Sequence, residues 1–248
     1  SVLMLMLFFF FFSVDAQKGR HTFKLGTNEF LLDDLPFQII SAEIHPARIP
    51  AEYWRQRIKM AKAIGCNTIT ASVFWNFHES EEGIYDFTEG VHNLPLFCEM
   101  VKEEDMYLIL RPGPYVGAEW ELGGIPPYLL RIPDIKLRSL DPRFMAAAEK
   151  YIVKLAEVIT PFLVNKGGPI IMLQIENEYG SYGNDRNYLM RLREVWNSNK
   201  INIPTFTADK PDEKMLQAGT LPGSVVGLNS GGSQSDFDLA AKINPGVP

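Results

Sequence analysis

Disulfide frameworks, metal-ligand spacings, basic stripes and internal repeats are all missing from these 248 residues. The two cysteines, Cys66 and Cys98, cannot build a disulfide framework. One precedes a predicted strand and the other falls inside a predicted helix, so both read as small buried hydrophobes. Neither they nor the four histidines fall at spacings that would hold a metal. The net charge of -6, with no cluster of Lys and Arg, removes the electrostatic footprint that nucleic-acid binding needs. No coiled-coil heptad or low-complexity linker interrupts the chain. What remains is 46% hydrophobic and 22% charged, an ordinary globular composition with material for one large core.

Only one apolar run is long, and it sits at the start. Leu3 to Phe12 is unbroken but shorter than the roughly 20 residues of a bilayer-spanning helix. Val14 and Ala16 supply the small residues of a signal-peptidase site, so residues 1–16 are expected to be a signal peptide. It lacks an initiator Met and a basic segment before Leu3, and is expected to be N-terminally incomplete. A secreted, periplasmic or lysosomal protein follows from it, with no membrane association after cleavage.

Beyond the leader, strand and helix patterns alternate, the mark of a parallel α/β fold. Strands are predicted at Phe37–Ile44, Asn67–Phe74, Met106–Leu110, Pro169–Ile175, Ile203–Ala208 and Ser224–Leu228, and helices at Glu52–Ile64, Leu94–Glu104, Pro142–Leu163 and roughly Arg186–Ser198. That is about six βα units, where a closed barrel needs eight. A doubly wound open sheet and an incomplete TIM (β/α)8 barrel both fit the count. The barrel, truncated after about six units, is the expectation, because an open sheet would leave apolar edge strands uncovered.

The richest stretch is residues 167–180, in which the apolar strand core Ile170-Ile171-Met172-Leu173 ends in Glu176-Asn177-Glu178-Tyr179-Gly180. Charge at that end of a buried parallel strand is costly unless it lines a polar cleft, and barrel chemistry collects there. By period-two geometry Glu176 and Glu178 would share a face. Glu176 could then be a nucleophile, or a structural carboxylate paired with a barrel cation such as Arg111; the second is expected, since buried carboxylates are paired. Trp75 and Trp120 fit a ligand-stacking platform and a core position equally well. His45 and His78 read as hydrogen-bonding scaffold at strand ends; Asp209, at the end of the fifth strand, could line the site but is expected to lie outside it.

Residues 167–179 resemble the signature of the glycoside hydrolase family 35 β-galactosidases. Further blocks agree in order: Glu43-Ile44-His45 with Arg48-Ile49-Pro50, Tyr53-Trp54-Arg55, Trp75-Asn76-Phe77-His78-Glu79, Arg111-Pro112-Gly113-Pro114-Tyr115, Ala118-Glu119-Trp120-Glu121, and Leu137-Arg138-Ser139 with Asp141-Pro142. The resemblance runs from about residue 24 to 248. It implies a retaining enzyme without metal or organic cofactor that removes terminal non-reducing β-D-galactose from small or oligosaccharide β-galactosides. It makes Glu178 the acid/base and Asn177 the partner of the sugar hydroxyl beside the anomeric carbon. Glu119 and the Ala118 backbone would bind galactose. It places the nucleophilic glutamate on a seventh strand, beyond a lead-in like Pro245-Gly246-Val247-Pro248, so this chain alone is expected to be an inactive fragment.

Three departures stand out. Ser72 occupies a substrate-binding position where the family commonly has a tyrosine, Pro46 replaces a tyrosine after His45, and Gly117 replaces a cysteine before Ala118. A serine cannot supply the ring contact, so a β-glycosidase of other sugar preference is an alternative. A non-catalytic carbohydrate-binding protein is the alternative outside the enzymes.

Overall fold

The computed structural model describes residues 19–229 and 232–248. The expected signal peptide, residues 1–16, lies outside the described residues. Six strands form one sheet: β1 (Ser41–Glu43), β2 (Thr68–Ser72), β3 (Tyr107–Arg111), β4 (Ile170–Gln174), β5 (Thr205–Asp209) and β6 (Val225–Leu228). All neighbours are parallel, in the spatial order β6-β5-β4-β3-β2-β1. A doubly wound sheet reverses its order at a switch point. This sheet never reverses, so its winding is that of a (β/α) barrel, open among the described residues between β1 and β6.

The connecting helices are α1 (Ala51–Ala63), α2 (Leu94–Glu103), α3 (Pro142–Ile159), α4 (Arg186–Ser198), α5 (Glu213–Gly219) and α6 (Gln234–Ile243). Their starts are written in short polar side chains. Asn93, Asp141, Asp185 and Asp212 each accept a hydrogen bond from a backbone N–H of the first turn that follows. Such caps are worth about 1 kcal/mol each. No described helix is long and apolar enough to cross a membrane.

Alternation along the strands sorts two apolar layers. Leu108 and Leu110 of β3, with Ile69 and Ala71 of β2, join the main core under the helices, alongside Trp54, Ile58, Tyr151, Leu155 and Leu192. Ile109 of β3 joins a second cluster with Phe23 and Val225, as do Ile171 and Met172 of β4, consecutive residues that break the alternation where the β3–β4 register shifts. An antiparallel sheet of Phe23–Leu25, Phe30–Leu32 and Leu35–Pro36 adds Phe23 and Phe30 to this cluster. It plugs the sheet near the start of β3, where Phe37 lies edge-on to Tyr107 at 5.3 Å.

Three expectations are corrected. The first strand is Ser41–Glu43 and not Phe37–Ile44, because Phe37 and Ile39 pack onto the plug. The third helix stops at Ile159, where Pro161 lacks the N–H to continue it and a tight turn follows. Cys98 is buried, but Cys66 is only half-buried.

Candidate active site

The C-terminal ends of the strands carry the polar side chains. After Gln174 the chain leaves the β4 ladder and turns sharply. Glu176 and Glu178 both take left-handed backbone angles, with φ of 60° and 48°. Such angles are uncommon for residues with a side chain and concentrate at functional sites. The turn is tied on both sides: Glu176 N–H donates to the Gly113 carbonyl at 3.2 Å, and Glu178 N–H to the Ala208 carbonyl at 2.8 Å. With left-handed residues at both carboxylates, alternation fails, and Glu176 and Glu178 go to different surroundings.

Glu176 is 1% exposed and fully committed. It accepts from Arg138 Nη2 at 2.7 Å, from Tyr188 Oη at 2.7 Å and from the Asn177 N–H at 3.0 Å. Burial and the Glu176 charge hold the Tyr188 phenol well above its ordinary pKa, so it remains a donor. Arg138 lies between the rings of Tyr115 and Tyr182, its guanidinium carbon 3.9 and 4.2 Å from their centroids, and its Nη2 also donates to the Asn177 carbonyl at 2.7 Å. The structural reading of Glu176 holds, but the expected cation does not. Its partner is Arg138 from the loop before α3, while Arg111 pairs with Glu43.

Glu178 is half-buried and forms no ion pair among the described residues. Its one side-chain partner is Asn229, whose Nδ2 lies 3.3 Å from Oε1 and 3.4 Å from Asn177 Oδ1. Asn177 is 6% exposed, and its Oδ1 accepts from Arg111 Nη2 and from Gln174 Nε2, each at 2.9 Å. The structure therefore joins Asn177 and Glu178 in one turn and adds Arg111, Arg138, Gln174, Tyr188 and Asn229 around it. Of these supports, Arg111, Gln174 and the Leu137-Arg138-Ser139 block lie in stretches that stand out in the sequence, whereas Tyr188 and Asn229 carry no such signal.

The β3 loop approaches the same turn. A Cβ added to Gly117 would stand 3.0 Å from Asn177 Nδ2, so a glycine there lets the loop close on the amide. Ala118 and Glu119 follow with φ of 54° and 48°, and their carbonyls accept from Arg48 Nη2 at 2.6 and 2.9 Å. These bonds leave the Glu119 side chain exposed, with no hydrogen bond or ion pair of its own among the described residues. Its charge reaches His45, as do those of Glu43, Arg48 and Arg111; burial is the main force lowering the His45 pKa.

Ser72 ends β2 opposite Arg111. It is 1% exposed, and its hydroxyl has no hydrogen-bond partner among the described residues. The two tryptophans separate. Trp75 is fully buried, stacks on Tyr151 at 5.1 Å and donates to Glu79, so it is core. Trp120 is half-exposed, stacks on Phe74 at 4.1 Å and donates to Asn76 Oδ1 at 2.8 Å. His78 is scaffold: its ring stacks on Phe87 at 4.4 Å, and burial pushes its pKa down to about 4. Asp209 lies beneath the turn, its Oδ1 accepting the Gly180 N–H at 2.7 Å and its other oxygen against Gly219 of α5. Among the described residues no group of three or more His, Cys, Asp or Glu side chains is placed to hold a metal ion.

The model of the glycosyl hydrolases family 35 matches residues 29–248. A β-galactosidase of Xanthomonas manihotis is 41% identical over 230 residues, which cover 92% of this chain and 38% of that protein. One from Canis lupus familiaris is 41% identical over 239 residues, covering 94% of this chain and 36% of the relative. The Homo sapiens β-galactosidase is 39% identical over 219 residues, covering 87% and 32%. The chain thus spans about a third of the length of these relatives. Among solved structures, a GH2 β-galacturonidase from Eisenbergiella tayi bound to galacturonate superposes with a TM-score of 0.57 at 15% identity, over 92% of this chain and 37% of that one. An exo-β-1,4-mannosidase from Opitutaceae bacterium strain TAV5 gives 0.55 at 18% identity, over 72% and 33%. These two share the fold.

Proposed function

The chain belongs to the glycosyl hydrolases family 35, and on that premise we propose that the full-length protein removes terminal non-reducing β-D-galactose residues from β-galactosides by a retaining double displacement. Residues 24–248 would form the catalytic barrel's share in this chain, and residues 1–16 a signal peptide for the secretory route. Glu178 is the acid/base. Its carboxyl group gives a proton to the glycosidic oxygen as the bond from that oxygen to the anomeric carbon breaks, and the leaving alcohol departs neutral. The anomeric carbon is meanwhile taken by a nucleophilic carboxylate as a glycosyl ester. Glu178, now ionised, takes a proton from water, whose oxygen displaces the ester with net retention.

The observation that carries this reading is the contrast between two carboxylates in one turn. Glu176 spends its oxygens on Arg138, Tyr188 and the Asn177 N–H, while Glu178 keeps a half-buried carboxylate with only Asn229 beside it. Glu176 is therefore unavailable as nucleophile, and that role goes to a glutamate on a strand following β6, as the family resemblance implies. Asn177 donates to the sugar hydroxyl beside the anomeric carbon, a bond that strengthens as oxocarbenium character develops. The exposed Glu119 carboxylate and the Ala118 backbone take two further galactose hydroxyls. A site that hydrogen-bonds those hydroxyls discriminates against sugars lacking them.

The test is turnover of an alkyl β-galactoside by the full-length protein and by Glu178→Gln. A fall in kcat/KM of about 10²–10⁴ is expected for loss of the proton donor, and a smaller fall for a galactoside whose leaving group departs without protonation. Equal losses on both substrates would remove Glu178 from the acid role. Ser72 supports a second reading, a β-glycosidase of different sugar preference, since its small buried hydroxyl has no partner among the described residues. Comparing galactoside, glucoside and fucoside turnover separates the two.

A further inference from the structure

An asparagine side chain can present either its oxygen or its NH2 group to a ligand, and only its neighbours decide which. At Asn177 the neighbours allow one answer. Oδ1 faces Arg111 Nη2 and Gln174 Nε2, both at 2.9 Å, and the guanidinium can only donate. Gln174 is fixed in turn. Its Oε1 accepts from Arg111 Nε at 2.6 Å, so reversing it would set its NH2 group against the guanidinium. Arg111 is itself held by Glu43 through Nη1. One direction of polarity thus runs from the ion pair at the ends of β1 and β3 through Gln174 of β4 to the amide of Asn177.

The consequence is at the other end of that amide. Nδ2 is turned away from both supports toward the loop at Gly117, where it donates to no protein acceptor among the described residues. We infer that Arg111 and Gln174 are positioning residues that hold the Asn177 amide with its NH2 group toward the substrate, so that the site accepts sugars offering a hydroxyl acceptor beside the anomeric carbon. This rests on the proposed role of Asn177 in the glycosidase site.

Gln174→Glu is the sharpest probe. It keeps size and still accepts from Arg111, but it offers Asn177 an oxygen in place of an NH2 group while Arg111 still donates to Oδ1, so the two supports ask for opposite orientations and the Asn177 amide loses its single one. The readout is a selectivity ratio in the full-length protein, kcat/KM for an aryl β-galactoside over that for the 2-deoxy analogue. We expect the ratio to fall about tenfold or more in Gln174→Glu, the scale of one lost hydrogen bond to a developing charge. Arg111→Lys, which cannot span Glu43, Gln174 and Asn177 together, should lower it less. A ratio that stays within about twofold of the unaltered protein in both variants overturns the proposal, because a merely structural role would slow both substrates alike. Neutron diffraction from the deuterated, unaltered protein is a second test that needs no catalysis. Deuterons on the Asn177 nitrogen facing Gly117 support the inference; deuterons facing Arg111 and Gln174 overturn it. An unaltered protein with no preference over the 2-deoxy sugar would refute the substrate contact of Asn177, and with it the substrate half of the inference, whatever the deuterons show.

Discussion

Along β3 the inward side chains run Tyr107, Ile109, Arg111, and their surroundings change completely over that distance. Tyr107 meets Phe37 edge-on, and Ile109 packs in the cluster that contains Phe23, Ile171 and Met172. Arg111, two residues on, bonds to polar groups: Glu43, Gln174 and Asn177. One end of the sheet is closed by an aromatic plug held by non-directional burial. The other end is held by hydrogen bonds that each need a particular partner at a particular angle. Burial tolerates volume-conserving changes, whereas a buried polar network is costly when any member is left unpaired. The plug can be repacked, but the upper end can only be kept or broken.

Breaking the upper end should give the larger effect. Arg138 is 6% exposed and carries the Glu176 pair, the Asn177 carbonyl and two aromatic rings. Arg138→Met would leave Glu176 buried and unpaired at a cost of about 3–5 kcal/mol, read as a lower midpoint in denaturant unfolding, together with loss of the proposed glycosidase activity in the full-length protein that still folds. Retention of full stability would mean that water replaces the guanidinium. At the lower end, Phe23→Ala removes a ring stacked on Phe30 at 5.7 Å. About 3 kcal/mol of stability should be lost by the cavity and transfer terms together, while kcat per folded molecule of the full-length protein, in the proposed reaction, stays unchanged. A drop in kcat there would erase the division between the two ends.

The same division explains which parts are legible in the sequence. Arg186–Ser198 forms at its predicted bounds because Asp185 caps it and Tyr188, Leu189, Leu192, Val195 and Trp196 keep helical spacing. Ile170–Gln174 stands out because a strand buried on both faces needs an unbroken apolar run. The plug strands are three residues or fewer, too short for any periodicity to register. At the site, the motif names the acid/base candidate and holds Gln174, but not the other supports. Arg138 meets Glu176 across 38 residues of chain, and nothing local distinguishes it from Arg111 as the cation. A shared face for Glu176 and Glu178 requires strand geometry to continue through them, and the strand ends at Gln174.

Asp209 gives the finest test, because it belongs to the upper end by position and to the lower end by burial. It is 1% exposed, beneath the turn that carries Glu178. Burial pushes its pKa up to about 7, aided by the charges of Glu178 and Glu176 and opposed by the Gly180 N–H. A carboxyl raised in the folded state binds its proton more tightly there than in the unfolded chain, whose value is near 3.8. Its contribution to stability is therefore complete below about pH 4 and is lost as pH rises through about 7. Asp209→Asn keeps an oxygen for the Gly180 N–H and removes the titration. Stability of the unaltered protein relative to this variant should fall between about pH 4 and 7 and level off above, as read from Tm across that range. Parallel Tm profiles would show that Asp209 ionises as freely as an exposed carboxylate.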